Sequence, residues 1–441
     1  MRIIKTARPL ADPAVAGLRD KLRAGAVVGA GAGRLDVPAV VREIIADVEA
    51  RGDQAVIDLT AKIEKVQLTP DRLRVSAEQI AAARAAAELA FLRLVRRVVE
   101  NIRRYQQSIL IQDPPPLTRG GRRLAVRYTP LERVGVFVPG GSGTGAVLIS
   151  SMLMTVVPAQ VAGVREIAVV SPPASAGDVS PLVLAVAGEL GLEEVYRVSG
   201  TAGVAALAVG TATVRPVEKL VGPGNAFIVE AKRQLFGRVG IDSLAGPSEV
   251  LIVADETARP DWVAADLLAQ AEHDPGSAVL VTPSEKLARD VAAAVDAQLP
   301  RLERRQAIQA ALREYCLIVV VPDLEAAWAL ANDFAPEHLQ IVTADDEAAL
   351  AKIRHAGAVF LGPLTPVPLG DYYAGPSHVL PTGGTARFFG PLSANDFLKA
   401  SSVLRYDAAA LAEDAEQVID FARREGLTAH ARAVEIRRKQ D

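Results

Sequence analysis

From Arg133 onward, short apolar runs alternate with stretches of helical length, and this alternation restricts the fold more than any other feature of the chain. A first series reads VGVFVPGG, EIAVVSPP, EVYRVSG and KLVGPGN, separated by Ala- and Leu-rich segments. A second starts at Glu249 and runs EVLIVAD, AVLVTPS, CLIVVVPD, HLQIVTAD and AVFLG, again with helical segments between. Strands that recur after a helix are joined by right-handed crossovers and lie parallel. The two series predict two doubly wound α/β domains facing each other. At 441 residues the chain also exceeds what one core accommodates. No internal sequence repeat is evident.

Ahead of this alternation, roughly the first 130 residues read mainly as helix. Val37 to Glu49 carries apolar residues at helical spacing and is closed by Arg51 and Gly52. Ser76 opens a further helix, with Glu78 in its first turn, that extends to about Tyr105. Residues 112–121 hold Pro114, Pro115, Pro116 and two glycines, which predicts a loop and a hinge into the next domain. After Leu361 the chain turns Gly- and Pro-rich, then ends in a helix over 411–424 and a short one opened by Thr428.

Composition excludes several functions. A net charge of -3 gives no reason to expect nucleic acid or an anionic membrane as partner. The basic run Arg437, Arg438, Lys439 reads as a solvated helix end. The single cysteine, Cys316, opens an apolar run and reads as a buried strand residue; alone it forms neither a disulfide nor a thiolate metal site. The N-terminal MRIIKTARPLADP lacks a signal core, and no apolar stretch reaches the about 20 residues of a membrane span. A soluble, reducing, cytoplasmic setting is expected.

The five histidines are the chemically informative residues. Gln270 and His273 stand three apart on a predicted helix, Asp261 to His273, so an amide oxygen and an imidazole share one face. A solvated helical pair is the plainer account of such spacing. Glu337 and His338 are adjacent at the entry to HLQIV and suit divided proton-transfer work, with a surface pair as the alternative. Asp371, in Gly370-Asp371-Tyr372, is either a hard anionic ligand or a turn cap. His430 begins the last helix, where a cation is disfavoured; that suits a neutral, metal-binding imidazole, against an exposed first-turn residue. His355 follows Arg354 at a predicted helix end and reads as structural. Three Gly turns occupy strand-to-helix or crossover positions: Val138 to Ser142, Gly222-Pro-Gly-Asn225 and Gly246-Pro-Ser-Glu249. The first two suit a nucleotide phosphate, although neither is GxGxxG.

Together these motifs resemble the histidinol dehydrogenase family. The likeness is collinear through VGVFVPGGS, PAQVAGV, GPGNAF, EAKRQ, IDSLAGPSEVLIVAD, LLAQAEHDP, APEHL, AGAVFLG, GDYYAGPSHVLPT and EGLTAH. It implies two incomplete Rossmann-like parallel-sheet domains, with an N-terminal helical segment and a small C-terminal helical unit. The corresponding partition is an arm over 1–30, a first domain from 31–136 and 248–390 carrying the metal and catalytic residues, a second domain over 137–247 on the NAD side, and a unit over 391–441 packed on a partner subunit. It implies zinc, one per subunit, held by Gln270, His273, Asp371 and His430. Glu337 and His338 match the proton-transfer pair. Ser248, Glu425 and His378 match substrate contacts, as do Gln270, His273, His338, Asp371 and His430. Phe137, Ala202 and Asn225 fall at positions associated with NAD.

The resemblance further implies the reaction: oxidation of L-histidinol to L-histidine through bound L-histidinal, with two NAD, in a homodimer whose sites are shared. An open zinc site orients the substrate's nitrogens. Departures from the family pattern gather on the nucleotide side. Phe137 replaces a common Tyr, Ala202 a common Gln, and the loop around Gly143 to Ala146 is about three residues long in excess. Val367 replaces an acidic residue. These departures keep two other functions in view, a dehydrogenase for another small polar alcohol and a metal-binding relative without NAD chemistry.

Overall fold

The structure is a computed structural model, and it describes residues 1–28, 36–140, 147–174, 177–198, 200–273 and 276–438. The extended Gly loop, Ser142 and Gly143 to Ala146 included, lies outside the described residues. The chain divides into two compact units, residues 1–109 with 132–397, and residues 110–131 with 398–441.

The larger unit is α/β and contains two parallel sheets. The first has the strand order Arg2–Lys5, Cys316–Val320, Gly276–Thr282, Ser248–Ala254, His338–Val342, Ala358–Leu361. The second runs Glu194–Arg197, Glu166–Ser171, Arg133–Phe137, Lys219–Val221, Gly240–Ile241. If the edge strand Arg2–Lys5 is set aside, each sheet places its strands third, second, first, fourth, fifth in chain order. The two halves therefore share one topology even though the sequence shows no repeat.

The period of two along the first sheet explains its double covering. Val250, Ile252, Ala278, Leu280 and Ile318 enter one core with Leu267, Val291 and Ile308 from the helices Pro260–Ala271, Glu285–Gln298 and Arg305–Glu314. Leu251, Val253, Val279, Val281, Leu317 and Val319 enter another with Leu18, Leu22, Trp328 and Leu330. At the carboxyl ends of its first and fourth strands, Asp255 closes the sheet on itself. One Asp255 oxygen accepts the Ala344 N–H at 2.8 Å and the other accepts the Thr257 N–H at 2.9 Å.

The partition expected from sequence differs from this packing in four places. The expected arm over 1–30 is no arm in its described residues: Arg2–Lys5 pairs in parallel with Cys316–Val320, and Val15, Leu18 and Leu22 of the following helix join a core. The helices Val37–Arg51 and Asp53–Glu64 do not serve the first sheet. Their apolar stripe, Val37, Val41, Val48 and Val56, packs with Val204, Leu207 and Ile228 beside the second. The second sheet begins at Arg133, ahead of 137. The helix expected from Ser76 to Tyr105 is two, Ala77–Ala86 and Leu89–Ile109, the first opened by a capping box between Ser76 and Gln79.

The smaller unit corrects the expectation of a purely helical C-terminus. Leu398–Tyr406 pairs antiparallel with Arg122–Pro130, which pairs with Leu117–Arg119, so the predicted hinge at 112–121 contains a strand. The helices Ala408–Arg424 and Thr428–Arg438 enclose a core of Ala415, Ile419, Ala422 and Ala431. Arg122 clamps this unit through Asp414 at 2.6 Å and Glu413 at 2.9 Å. Leu117, Leu404, Phe421 and Ile436 remain exposed on it. No helix of the described residues is long and apolar enough to cross a membrane.

A buried charge cluster ties the second sheet at its amino edge. Arg133 donates to Glu194 at 2.6 Å and to Glu166 at 3.0 Å, and Tyr196 donates to Glu194 at 2.9 Å. Burial works to raise the Glu194 carboxyl, but these donors outweigh it and hold the group at about 2 against an ordinary 4.5. A carboxyl depressed on folding adds stability above its unfolded value and loses it as pH falls through the folded one. Acid unfolding followed by circular dichroism is expected to show stability falling between pH 4.5 and about 2, and Glu194→Gln to flatten that limb while lowering stability at neutral pH.

Candidate active site

A cleft of about 200 Å³ in the larger unit is lined from both sheets. The second sheet offers its carboxyl edge, where Gly222-Pro-Gly follows Lys219–Val221. The first offers its amino edge: Ser248 and His338 are the first residues of their strands. Gly222 (φ +119°) allows the turn to meet the other strand end, since a Cβ there would lie 2.2 Å from the Phe137 carbonyl oxygen. The buried Lys232 donates to the Gly222 carbonyl oxygen and to Asp242 at 2.6 Å, and Asp242 accepts the Gly222 N–H at 2.8 Å.

His338 is fully enclosed except on its cleft side. It pairs in register with Val250, and its Nδ1 lies 3.1 Å from the Glu249 carbonyl oxygen. A carbonyl only accepts, so Nδ1 carries the proton and Nε2 keeps its lone pair in the neutral ring. Nε2 is buried without a hydrogen-bond partner, 3.7 Å from Asp371 Oδ1. Burial opposes the charged imidazolium, yet Glu337, Asp371 and the Glu249 carbonyl outweigh it and push His338 up to about 9. Around Asp371 the balance is similar: burial works to raise it, while His338, His378 and His273 hold it below the usual carboxylate range.

The remaining predicted residues fall into three groups. Ser248, Glu337, His273, Asp371 and His378 line the cleft with His338. Gln270 stands directly behind: its Nε2 donates to Ser248 Oγ at 2.7 Å, and Ser248 Oγ donates to Glu337 Oε2 at 2.6 Å. The helix expected to carry Gln270 and His273 together ends at Ala271, so His273 sits beyond its C-terminus. The close approach of Gly276, whose Cβ would meet the Gln270 carbonyl oxygen at 2.1 Å, sets that turn. Asp371 lies in the short helix Val367–Tyr372. His378 donates from Nδ1 to the Asp371 carbonyl oxygen at 2.8 Å and has Ser151 Oγ at 3.4 Å; burial lowers its pKa. His355 lies in a loop and not at the expected helix end, since the preceding helix stops at Leu350; its backbone N–H donates to Asn332.

Glu425 and His430 belong to the smaller unit, Glu425 as the cap of Ala408–Arg424 and His430 in the first turn of Thr428–Arg438. Phe137 and Ala202 are buried in the apolar core, 6% and 1% exposed, and neither lines the cleft. Asn225 is exposed and caps the helix Ala226–Leu235 by accepting the N–H groups of Phe227 and Ile228.

The donor types in the larger unit suit a borderline divalent cation: the oxygen of Gln270, an imidazole and a carboxylate. Among the described residues, no three His, Cys, Asp or Glu side chains cluster closely enough to hold a metal. Three donors of mixed type leave the set short of a fourth, and that role was expected of His430. Sequence reasoning missed Glu249, read only as part of a crossover motif. It is 3% exposed and touches both Glu337 and His338.

The chain is similar to known proteins over nearly its whole length. The histidinol dehydrogenase family model matches residues 32–438. The chain is 49% identical over 398 residues to histidinol dehydrogenase from Rhodopirellula baltica, covering 90% of this chain and 86% of that one. It is 47% identical over 401 residues to the Bacillus subtilis protein of that name, covering 91% and 93%. A crystal structure of histidinol dehydrogenase from Elizabethkingia anophelis superposes with a TM-score of 0.90 at 31% identity, over 99% of this chain and 98% of that one.

The Ser248 hydroxyl joins Gln270 to Glu337, so its loss leaves the buried Gln270 amide without that acceptor and the buried Glu337 carboxylate with the Glu249 N–H but one donor fewer. Ser248→Ala is expected to reduce unfolding free energy of the ligand-free protein by about 1–3 kcal/mol in urea titration. An unchanged midpoint would show that the hydroxyl does not bridge them.

Proposed function

The chain belongs to the histidinol dehydrogenase family, and we propose that it oxidises L-histidinol to L-histidine in two hydride-transfer steps within this cleft. The carrying observation is His338: an imidazole with Nδ1 committed to a carbonyl and Nε2 buried, unpartnered and directed at the cleft, beside Glu337. In the neutral ring, Nε2 is the atom that would take a substrate proton.

In the proposed first step, His338 Nε2 takes the alcohol proton as the carbinol C–H bond breaks and its hydride passes to NAD, leaving the aldehyde. Glu337 then receives a proton from water as the oxygen adds to the aldehyde carbon. The hydrated aldehyde, as its anion, passes a second hydride to a second NAD; the acid so formed releases its proton to solvent, as His338 and Glu337 do theirs, leaving the carboxylate. Gln270, His273, Asp371 and His430 would hold zinc, which supplies positive charge and open coordination positions for orienting the amino alcohol. His338 loses part of the attraction that holds its proton once Asp371 engages a cation, which favours the neutral base. Of the positions associated with NAD, Asn225 is the one exposed to a ligand, and Phe137 and Ala202 act through packing.

We further propose a homodimer. The smaller unit buries a core of only four residues and leaves Leu117, Leu404, Phe421 and Ile436 exposed, so it needs a covering surface. A partner subunit would provide that surface and take Glu425 and His430 into its site by isologous exchange.

Two NADH are expected per L-histidinol, with activity lost to a chelator and restored by zinc. One NADH per alcohol, or turnover by metal-free protein, contradicts the scheme. His273→Asn should lose metal and activity together, while His338→Asn keeps the metal and stalls; metal analysis separates the two. Mixed dimers of His338→Asn and His430→Asn should regain activity, because one of their two shared sites carries neither lesion. Confirmed heterodimers that stay inactive would refute the exchange.

A further inference from the structure

Glu249 is a buried ionisable group beside the cleft to which the proposed steps give no work. It lies in the central strand Ser248–Ala254, flanked by Gly276–Thr282 and His338–Val342. Four contacts join it to the catalytic pair and the cleft wall. Its N–H donates to Glu337 Oε2 at 2.9 Å, and its carbonyl accepts from His338 Nδ1 at 3.1 Å. Its carboxyl Oε1 accepts the Glu337 N–H at 3.3 Å and the Gly383 N–H at 3.0 Å. Gly383 follows Thr382, which lines the cleft. The first two contacts are main-chain and survive substitution; the last two depend on the side chain.

We propose that Glu249 is a positioning residue whose carboxyl ties the main chain of Glu337 to that of Gly383, fixing the direction in which Glu337 and His338 enter the cleft. The inference rests on the proton-transfer roles given to that pair. A role in fold stability alone would not favour this group. Among the described residues no Lys or Arg forms an ion pair with Glu249, and its nearest charged neighbours include a second carboxylate, Glu337. A buried carboxyl so placed is costly unless neutral, and an apolar residue would fill the space more cheaply. Burial and the Glu337 charge push Glu249 up to about 8, against the pull of the Gly383 and Glu337 N–H groups. It therefore stands mainly neutral at pH 7, and Gln is its nearest counterpart: neutral, of equal length, with an oxygen to accept both N–H groups. Asp is too short to span them.

The test compares Glu249→Ala, Glu249→Asp and Glu249→Gln, with His338→Asn and Glu337→Gln alongside, in steady-state turnover of L-histidinol with NAD and in thermal unfolding. Ala and Asp are expected to lower kcat by about ten- to hundredfold, as a misaimed catalytic group does, with KM for both substrates little changed. Gln is expected to recover most of that loss. If Glu249→Ala fails to fold, Asp and Gln decide the matter. Parental kcat in Ala or Asp while His338→Asn is inactive overturns the positioning role and leaves the proton-transfer pair standing. Parental turnover by both His338→Asn and Glu337→Gln overturns the pair itself. A kcat loss that Gln does not recover, or one accompanied by an equal rise in KM, assigns Glu249 a different role and also overturns the proposal.

Discussion

Parallel pairing of Ser248–Ala254 with His338–Val342 is the constraint from which the cleft follows. The register sets His338 opposite Val250. That brings the Glu249 carbonyl to Nδ1 of His338 and the Glu249 N–H to Glu337, while Ser248 reaches Glu337 and Gln270 from the same strand. A shift of one residue would exchange the faces of the strand and send His338 into the apolar core. Such a shift is prevented by the two cores on either side, which alternate residues of both strands fill. Packing far from the chemistry thus fixes distances inside it.

Ligands of open α/β sheets ordinarily sit at the carboxyl ends of the strands. The second sheet follows that rule with Gly222-Pro-Gly, whereas the first brings Ser248 and His338 from its amino edge. Opposed edges give the cleft two kinds of wall. One is a glycine turn held by the Lys232–Asp242 ion pair, and the other is a row of titratable side chains at strand starts. The first is backbone that a ligand can approach closely, and the second presents ionisable side chains.

Much of this was legible from sequence. Alternation of period two with helical stretches revealed the strands, because each buried strand is a continuous apolar run bounded by turn residues. The residues Ser248, His273, Glu337, His338, Asp371 and His378 were identifiable from motifs, and they meet in one cleft. Partnership was less legible. Val37, Val41 and Val48 announce an amphipathic helix without saying which sheet it covers, and the strands Leu117–Arg119 and Leu398–Tyr406 are too short or too polar to stand out before a partner strand is known. Glu249 escaped because a lone acid inside an apolar run carries no periodic signal; only its contacts reveal it. Phe137 and Ala202 mark the limit of reading a position by analogy, since both side chains turn into the core.

Both sheets share a strand order, but their carboxyl edges carry different electrical characters. At the second, Asp242 is balanced by Lys232 2.6 Å away. At the first, Asp255 takes the Ala344 and Thr257 N–H groups, the kind of donors that elsewhere cradle a phosphate, while Asp345 caps the helix that follows and Asp346 stands in its first turn. An anion approaching that crevice meets occupied donors and like charge. Repetition of a topology therefore does not bring repetition of a crevice: in one copy the donors are taken by the sheet's own carboxylate, which serves as a brace, and that half of the molecule faces the cleft with the opposite end of its strands.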